Sequence, residues 1–328
     1  MRARTDVHVV AADPAGGPGA FRVARLHCEA PLTVRHTLDG LTMMASAGGP
    51  LGGDDLALTL RVGSGAAVTV GSAAGSVVLP GPGAPAVTGG ADAAGDPSAR
   101  AGRGAAAAHV AWTVQVDEGA CLDWRPEPTV VAAGAALHTC TTLDVAATGR
   151  VRWREILAAG REGEPGGDLL ASWSVTRDGR PLLRQDVRTG PHAPDGWDGL
   201  TGTAGMRVLG TLLVVDPGLD PGRHPGLGPA LEPAFGPPLE TASVAESADG
   251  APVGPGPDGW VAALPLDGPA VLVTALGMST LAVTRLLERA AAALPTASLP
   301  APAPPAAGVR AEPSQSPARG PSLHPRTA

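Results

Sequence analysis

The sequence predicts a mainly β protein with few helices, including one near the C-terminus. Short runs in which apolar and polar residues alternate recur along the chain, as in DLALTLRV at 55–62. Such runs are typical of strands with one buried face. Glycine-containing turns separate several of them, and one segment close to the C-terminus has the apolar spacing of a helix. Together these observations indicate a protein built mainly from strands.

A strand–turn–strand unit occurs twice in the first half of the chain. VGSGAAV at 62–68 aligns with VDEGACL at 116–122, and the alignment places Gly65 opposite Gly119. Alternating apolar residues precede and follow the turn in both copies. We therefore expect two hairpins, in which the glycine supplies a backbone angle that other residues rarely adopt.

Further strands and the one helix are expected later in the chain. Alternation predicts strands at roughly 137–145, 150–157, 169–177 and 206–215. The helix follows Ser279, a residue type that caps helices, and ends at Pro295. Its apolar residues fall at helical spacing: Val283, Leu286, Leu287, Ala290 and Leu294.

Composition divides the chain into three segments. Residues 1–19 are expected to be an N-terminal lead-in, 20–294 the β domain, and 295–328 a disordered Pro-rich tail without a core-forming pattern. Within the domain, the small and Gly-rich stretch 81–104 predicts a flexible insertion. The stretch 216–259, dense in Pro and Gly, predicts a long irregular excursion.

Charge and hydropathy exclude several classes of protein. The net charge of −7 and the pI near 5.6 argue against a nucleic-acid partner. No uninterrupted apolar run approaches the roughly 18 residues of a membrane span, and the N-terminus lacks the apolar core of a signal peptide. Three widely spaced cysteines do not form a disulfide framework. We therefore expect a cytoplasmic protein that does not act at a membrane.

The segment GGPLGGDD at 48–55 could bind a phosphate, hold a metal ion or turn the chain. Phosphate and dinucleotide loops open a helix, and the phosphate loop also needs a Lys, whereas this chain has no Lys and a strand follows. A calcium loop places its oxygen ligands at alternate positions, but Asp54 and Asp55 are adjacent. A tight turn that enters a strand is the favoured interpretation.

His138 and Cys140 are the weak candidates for metal ligands. They alternate on one predicted strand and so share a face, and with Asp144 they could form part of a transition-metal site. None of the common ligand motifs, such as CxxC or HExxH, accompanies them. Ordinary surface or packing positions are favoured, and no metal site is assigned.

The densest polar cluster is VRWREILAAGREGEPGGD at 151–168. Alternation places Trp153 and Glu155 on one face of a strand, with Arg152 and Arg154 on the other. Arginine next to a carboxyl group keeps it ionised, which does not suit a general acid.

An enzyme would use Glu155 and Glu164 as a carboxylate pair, but Arg154 and Arg161 lie close to them in sequence. We therefore favour ion pairs that fix a loop or meet a partner. The sequence also lacks a convincing nucleophile elbow. No catalytic residue is assigned.

Five segments share their order and spacing with one known family. They are GGPLGGDDLALTLRVGSGAAVTV at 48–70, SVVLPG at 76–81, DEGACLDWRPEPTVVAAGA at 117–135, VRWREILAAGREGE at 151–164 and RDGRPLLRQD at 177–186. The chain resembles the urease accessory protein UreD family, called UreH in some organisms, in its actinobacterial form. The resemblance covers roughly residues 20–292.

The resemblance implies a helix-poor stack of strands, so the expected fold is a stacked or solenoid-like β scaffold. It also implies a protein that is not an enzyme but a metallochaperone scaffold, needed for nickel insertion into urease apoprotein. UreF-like and UreG-like accessory proteins would be its partners. No tightly bound cofactor is implied, only transient Ni²⁺, and the family is associated with a passage through which nickel could travel.

The matched segments also indicate residues with a structural or partner-binding role. These family-motif residues are Gly52, Gly53, Asp54, Gly65, Glu127, Trp153, Glu155, Gly160, Arg161 and Glu164. Two alternatives stay open. One is a metal-dependent hydrolase that uses His138, Cys140 and Asp144, and the other is a β-rich binding module. Urease structural genes beside this gene would favour the accessory protein over both.

Overall fold

The computed structural model describes residues 1–12, 21–37, 40–82, 106–219 and 259–294. In these ranges the chain forms seventeen strands and one helix. The strands are β1 (Arg2–Ala11), β2 (Phe21–Cys28), β3 (Leu32–Thr37), β4 (Gly40–Ala45), β5 (Asp55–Val62), β6 (Ala67–Ser72), β7 (Ser76–Val78), β8 (Ala108–Val116), β9 (Cys121–Trp124), β10 (Thr129–Val131), β11 (Ala136–Val145), β12 (Arg150–Ala159), β13 (Asp168–Arg177), β14 (Arg180–Thr189), β15 (Val208–Val215), β16 (Trp260–Pro265) and β17 (Ala270–Gly277). The helix is α1 (Thr280–Ala293).

Two sheets contain all of these strands. The first has seven strands in the order β14-β13-β11-β8-β5-β1-β2, and the second has ten, with the path β16-β17-β15-β12-β9-β6-β4-β3 and with β10 joining β12 to β7. The central strands of both sheets are parallel, while antiparallel pairs close the edges. The mainly β, stacked architecture is therefore confirmed.

The two repeated units are not hairpins, contrary to the prediction. β5 belongs to the first sheet and β6 to the second, and β8 and β9 are divided in the same way, so each turn carries the chain from one sheet to the other. The turns stack, because Asp117 donates its backbone N–H to the carbonyl of Val62 at 2.9 Å. Gly65 and Gly119 do have positive φ angles, of 70° and 64°.

A third turn of the same kind joins β11 to β12. Its residue Ala146 donates a backbone hydrogen bond to Val116 at 2.9 Å, so it stacks on the second turn as the second stacks on the first. Thr148 stands where the other two turns have glycine, and its hydroxyl accepts a bond from the N–H of Gly119 at 2.8 Å. The missing glycine explains why sequence comparison found only two copies.

The core lies between the two sheets. Alternate residues of each central strand point inward, and Trp124 and Trp153 stack there with ring centroids 4.3 Å apart. Burial of such large side chains contributes about 25 cal/mol per Å² of apolar surface. A second apolar cluster lies on the other side of the second sheet, beneath α1.

The helix was predicted correctly. The Ser279 side chain accepts a hydrogen bond from the N–H of Ala282, and the predicted apolar residues are buried against the second sheet. Gly210 of β15 allows the helix to lie close to the sheet, since a Cβ there would lie 2.9 Å from Leu287 Cδ1 and closer still to Val283. No helix in the described ranges is long and apolar enough to cross a membrane.

The four later strands form where they were expected, as β11, β12, β13 and β15. The residues assigned to an N-terminal lead-in contain β1, which lies inside the first sheet between β5 and β2. The tail at 295–328, and most of the predicted insertion and excursion, fall outside the described residues. The division of the chain into segments therefore stays a prediction.

Candidate functional site

A cavity of about 300 Å³ lies between the two sheets. Its walls are mainly apolar and come from both sheets, with Leu56 and Leu137 on one side and Met43 and Trp124 on the other. Glu155 is the acidic side chain that lies deep in its wall, with 9% of the residue exposed.

Two hydrogen bonds hold the Glu155 carboxyl group. Trp173 Nε1 donates to its Oε2 at 3.1 Å, and the Thr139 hydroxyl donates to its Oε1 at 3.4 Å. Burial is the main influence on its acidity and raises the pKa to about 7, although both hydrogen bonds act in the opposite direction. The group can therefore exchange a proton close to neutral pH.

Of the two expectations for Glu155, the strand face is correct and the nearby arginine is not. Trp153 and Glu155 do face inward together, and Arg154 points to the outer face, where its Nη1 lies 3.7 Å from Glu288 Oε1. No ion pair is formed with Glu155 in the described ranges, so the expectation that arginine keeps it ionised is wrong. Thr139 and Trp173 were not singled out, because their contact with Glu155 crosses between the sheets.

Glu164 lies apart from Glu155, in the surface turn after β12. Its carboxylate pairs with the Arg161 guanidinium through two hydrogen bonds of 2.9 Å and accepts the Arg161 backbone N–H at 2.8 Å. The hydrogen bond from the Arg161 side chain is the main cause of a pKa lowered to about 2. The loop-fixing ion pair is therefore present, and the two glutamates do not form a carboxylate pair.

Arg207, the residue before β15, anchors this turn. Its guanidinium donates to the carbonyl oxygen of Ala159 at 2.9 and 3.2 Å, to that of Arg161 at 3.3 Å and also to that of Glu164. Gly160 has a φ of 83° and lies directly against Arg207, so a larger residue would displace the anchor. Sequence reasoning missed Arg207, since no pattern marks a single arginine before a strand.

The segment at 48–55 is the expected tight turn into β5. Asp54 Oδ2 accepts the N–H of Leu51 at 2.9 Å, and the Asp54 N–H donates to the carbonyl of Leu51 at 2.9 Å. The Met1 amino group also pairs with this carboxylate. Gly52 must be small, because a Cβ there would lie 2.6 Å from the backbone nitrogen of Gly81.

Comparison with known proteins identifies the family. The sequence model described as "UreD urease accessory protein" matches residues 2–307. The chain is 36% identical over 315 residues to the urease accessory protein UreD of Parafrankia sp., with 88% of each chain covered. It is 35% identical to UreD of Streptomyces coelicolor and 38% identical to UreD 3 of Streptomyces griseus, each over 85% of this chain and 92% of the relative. The chain belongs to the UreD urease accessory protein family.

The residues matched to UreD motifs do not form one site. Trp153 and Glu155 lie in the interior, whereas Gly160, Arg161 and Glu164 form the anchored turn. Glu127 is exposed at the rim of the cavity and donates its backbone N–H to Ser72 Oγ at 2.9 Å. Their roles in a UreD protein stay predictions.

The residues of the hydrolase alternative are not brought together. His138, Cys140 and Asp144 share the exposed outer face of β11, but the first and last are six residues apart, which is about 20 Å along a strand. Asp144 Oδ1 instead accepts a hydrogen bond from Thr176 at 2.7 Å. In the part of the chain that the structure describes, no three His, Cys, Asp or Glu side chains gather in a way that could hold a metal ion.

Proposed function

We propose that this protein is a non-catalytic scaffold for nickel insertion into urease apoprotein, acting in the cytoplasm with UreF-like and UreG-like partners. Membership of the UreD family supports the urease accessory role. The observation that carries the nickel part is the buried carboxyl group of Glu155 in the wall of a mainly apolar cavity between the sheets.

The chemistry of Glu155 suits a cargo ion that must not be retained. A carboxylate oxygen can bind a divalent cation, but a tight site for a transition metal needs several ligands. Glu155 is neutral below its pKa of about 7 and charged above it, so a proton and a cation compete for the same oxygen atoms. Trp173 and Thr139 keep that carboxyl group oriented during the exchange.

The same geometry does not support an enzyme. A carboxylate pair would need Glu164 close to Glu155, whereas the Glu164 carboxylate is bound to Arg161 in a surface turn. His138 lies on the outer face of the first sheet. We therefore assign Glu155 a role in cation passage and the Arg161–Glu164 turn a role in contacting a partner.

A strain that carries its urease genes and a variant of this gene tests the proposal. Glu155→Gln removes the charge and keeps the size of the side chain, so we expect urease nickel content and activity to fall severalfold while the protein stays abundant. Cys140→Ala is the matched control, since Cys140 is exposed on the outer face of β11. Full nickel loading with Glu155→Gln would remove Glu155 from the mechanism.

A further inference from the structure

A groove of about 300 Å³ lies on the outer face of the second sheet, beside α1. Three arginines reach it: Arg152 and Arg154 alternate on the outward face of β12, and Arg125 follows β9 directly. Asp123 and Glu288 are the acidic residues in its wall. The five groups leave one positive charge in the groove, whereas the whole chain carries −7.

One of the two acids is already fully engaged. Asp123 is 6% exposed, and Arg152 binds it through two parallel hydrogen bonds, from Nε to Oδ1 at 3.0 Å and from Nη2 to Oδ2 at 3.1 Å. This fork-to-fork geometry is the strong form of an arginine–carboxylate pair. Arg125 Nε lies 3.6 Å from Asp123 Oδ2, which is too far for a hydrogen bond.

Among the residues that the structure describes, Arg154 has no hydrogen-bond acceptor of its own. Its side chain is 17% exposed, its Nε is buried without a hydrogen-bond partner, and its Nη1 lies 3.7 Å from Glu288 Oε1. Glu288 is itself 64% exposed to solvent. Since a guanidinium carries five N–H donors, and buried donors without acceptors cost free energy, Arg154 and Arg125 together offer donors for an incoming oxygen atom.

The remaining wall of the groove is apolar. Leu212 of the sheet and Leu287 and Ala291 of the helix form it. A glutamate side chain has a matching shape, with an aliphatic stem and a planar carboxylate. A small anion in an open groove competes with water and salt, whereas a polypeptide that covers the groove excludes water and strengthens each charged hydrogen bond.

We propose that this groove binds an acidic side chain of a partner polypeptide, with the carboxylate held between Arg154 and Arg125 and the stem against the apolar wall. The groove is separate from the cavity of Glu155, on the opposite face of the second sheet. Its occupation therefore does not depend on the nickel function.

Calorimetric titration of the full chain tests this assignment with a capped tri-glutamate peptide as the probe. We expect saturable binding that Arg154→Gln weakens at least fivefold and Arg125→Gln weakens less, because Arg125 is half-exposed. A capped tri-glutamine peptide should not bind. Arg184→Gln is the matched control, since Arg184 is exposed on β14 of the other sheet, and it should leave binding unchanged.

Several results would overturn the proposal. Absence of peptide binding would do so, as would binding that Arg154→Gln and Arg184→Gln weaken equally. Glutarate binding as tightly as the peptide would assign the groove to a free small carboxylate, and binding of inorganic phosphate alone would refute the carboxylate assignment. Thermal melting of each variant separates lost binding from lost folding. Arg154→Lys keeps the positive charge but not the planar guanidinium, so it should weaken peptide binding less than Arg154→Gln does.

Discussion

Glu155 is a carboxyl group placed where its charge is costly. Its folded pKa of about 7 lies above the ordinary value of 4.5, because burial disfavours the ionised form. Between these two pH values the folded protein therefore binds more protons at this site than the unfolded chain does. Linkage then requires that Glu155 lowers stability progressively as the pH rises from about 4.5 to 7, with no further change above that.

Glu155→Gln should remove this pH dependence. Glutamine can accept from Trp173 and donate to the Thr139 hydroxyl, so it keeps the contacts without the charge. At pH 8.5 the variant should be more stable than the parent by about 3 kcal/mol, and at pH 4.5 the two should be alike. Urea unfolding at both pH values measures this, and equal stability of the two proteins at pH 8.5 would contradict it.

Arg161 is expected to matter for urease activation more than for folding. Its ion pair with Glu164 is at the surface, with 60% of the arginine side chain exposed, and such pairs contribute about 0–1 kcal/mol. Arg161→Ala should therefore leave the melting temperature nearly unchanged and still impair activation more than His138→Ala or Cys140→Ala. If His138→Ala alone abolished activation in a folded protein, the metal-ligand interpretation would replace ours.

The sequence predicted which face of its strand Glu155 lies on, but not which residues contact its carboxyl group. Alternation along one strand settles which residues share a face, and Trp153 and Glu155 duly point inward. The partners of Glu155 come from β11 and β13 of the opposite sheet. Contacts of that kind depend on how the two sheets pack, and the alternation of residues along one strand does not predict them.

At the scale of elements, the contact between α1 and the second sheet depends on Gly210. A methyl group there would meet Val283 and Leu287, both of which are buried. Gly210→Ala should lower the free energy of unfolding by about 1–3 kcal/mol, the usual effect of an overpacked core. Gly48→Ala is the control, because nothing lies within 4 Å of a Cβ at Gly48.

Chemical denaturation of the two glycine variants distinguishes a tight contact from an adaptable one. If Gly210→Ala lowered the free energy of unfolding no more than Gly48→Ala does, the helix could move away from the sheet without loss of stability.

The strands were predictable, while their connections were not. Alternation located β11, β12 and β13 closely because it depends only on neighbouring residues. The hairpin prediction failed because a glycine turn of the same length can join two strands of one sheet or carry the chain to another. In this fold the partners of β5 are β1 and β8, with Asp55 opposite Arg2 and His109, and both pairings are far away in sequence.

At the scale of the whole molecule, two stacked sheets with parallel centres enclose a cavity and present broad outer faces. The parallel stacking makes each central strand a neighbour of strands from the previous and the next turn of the chain. Under the proposed function, this two-sheet fold is required for nickel to reach urease.

The nickel content of urease purified from a strain lacking this gene tests that claim most directly. We expect urease apoprotein to be made at its normal level but to be nickel-poor and inactive, and a plasmid copy of the gene should restore both nickel and activity. Urease with its full nickel content and normal activity in the deletion strain would contradict the account.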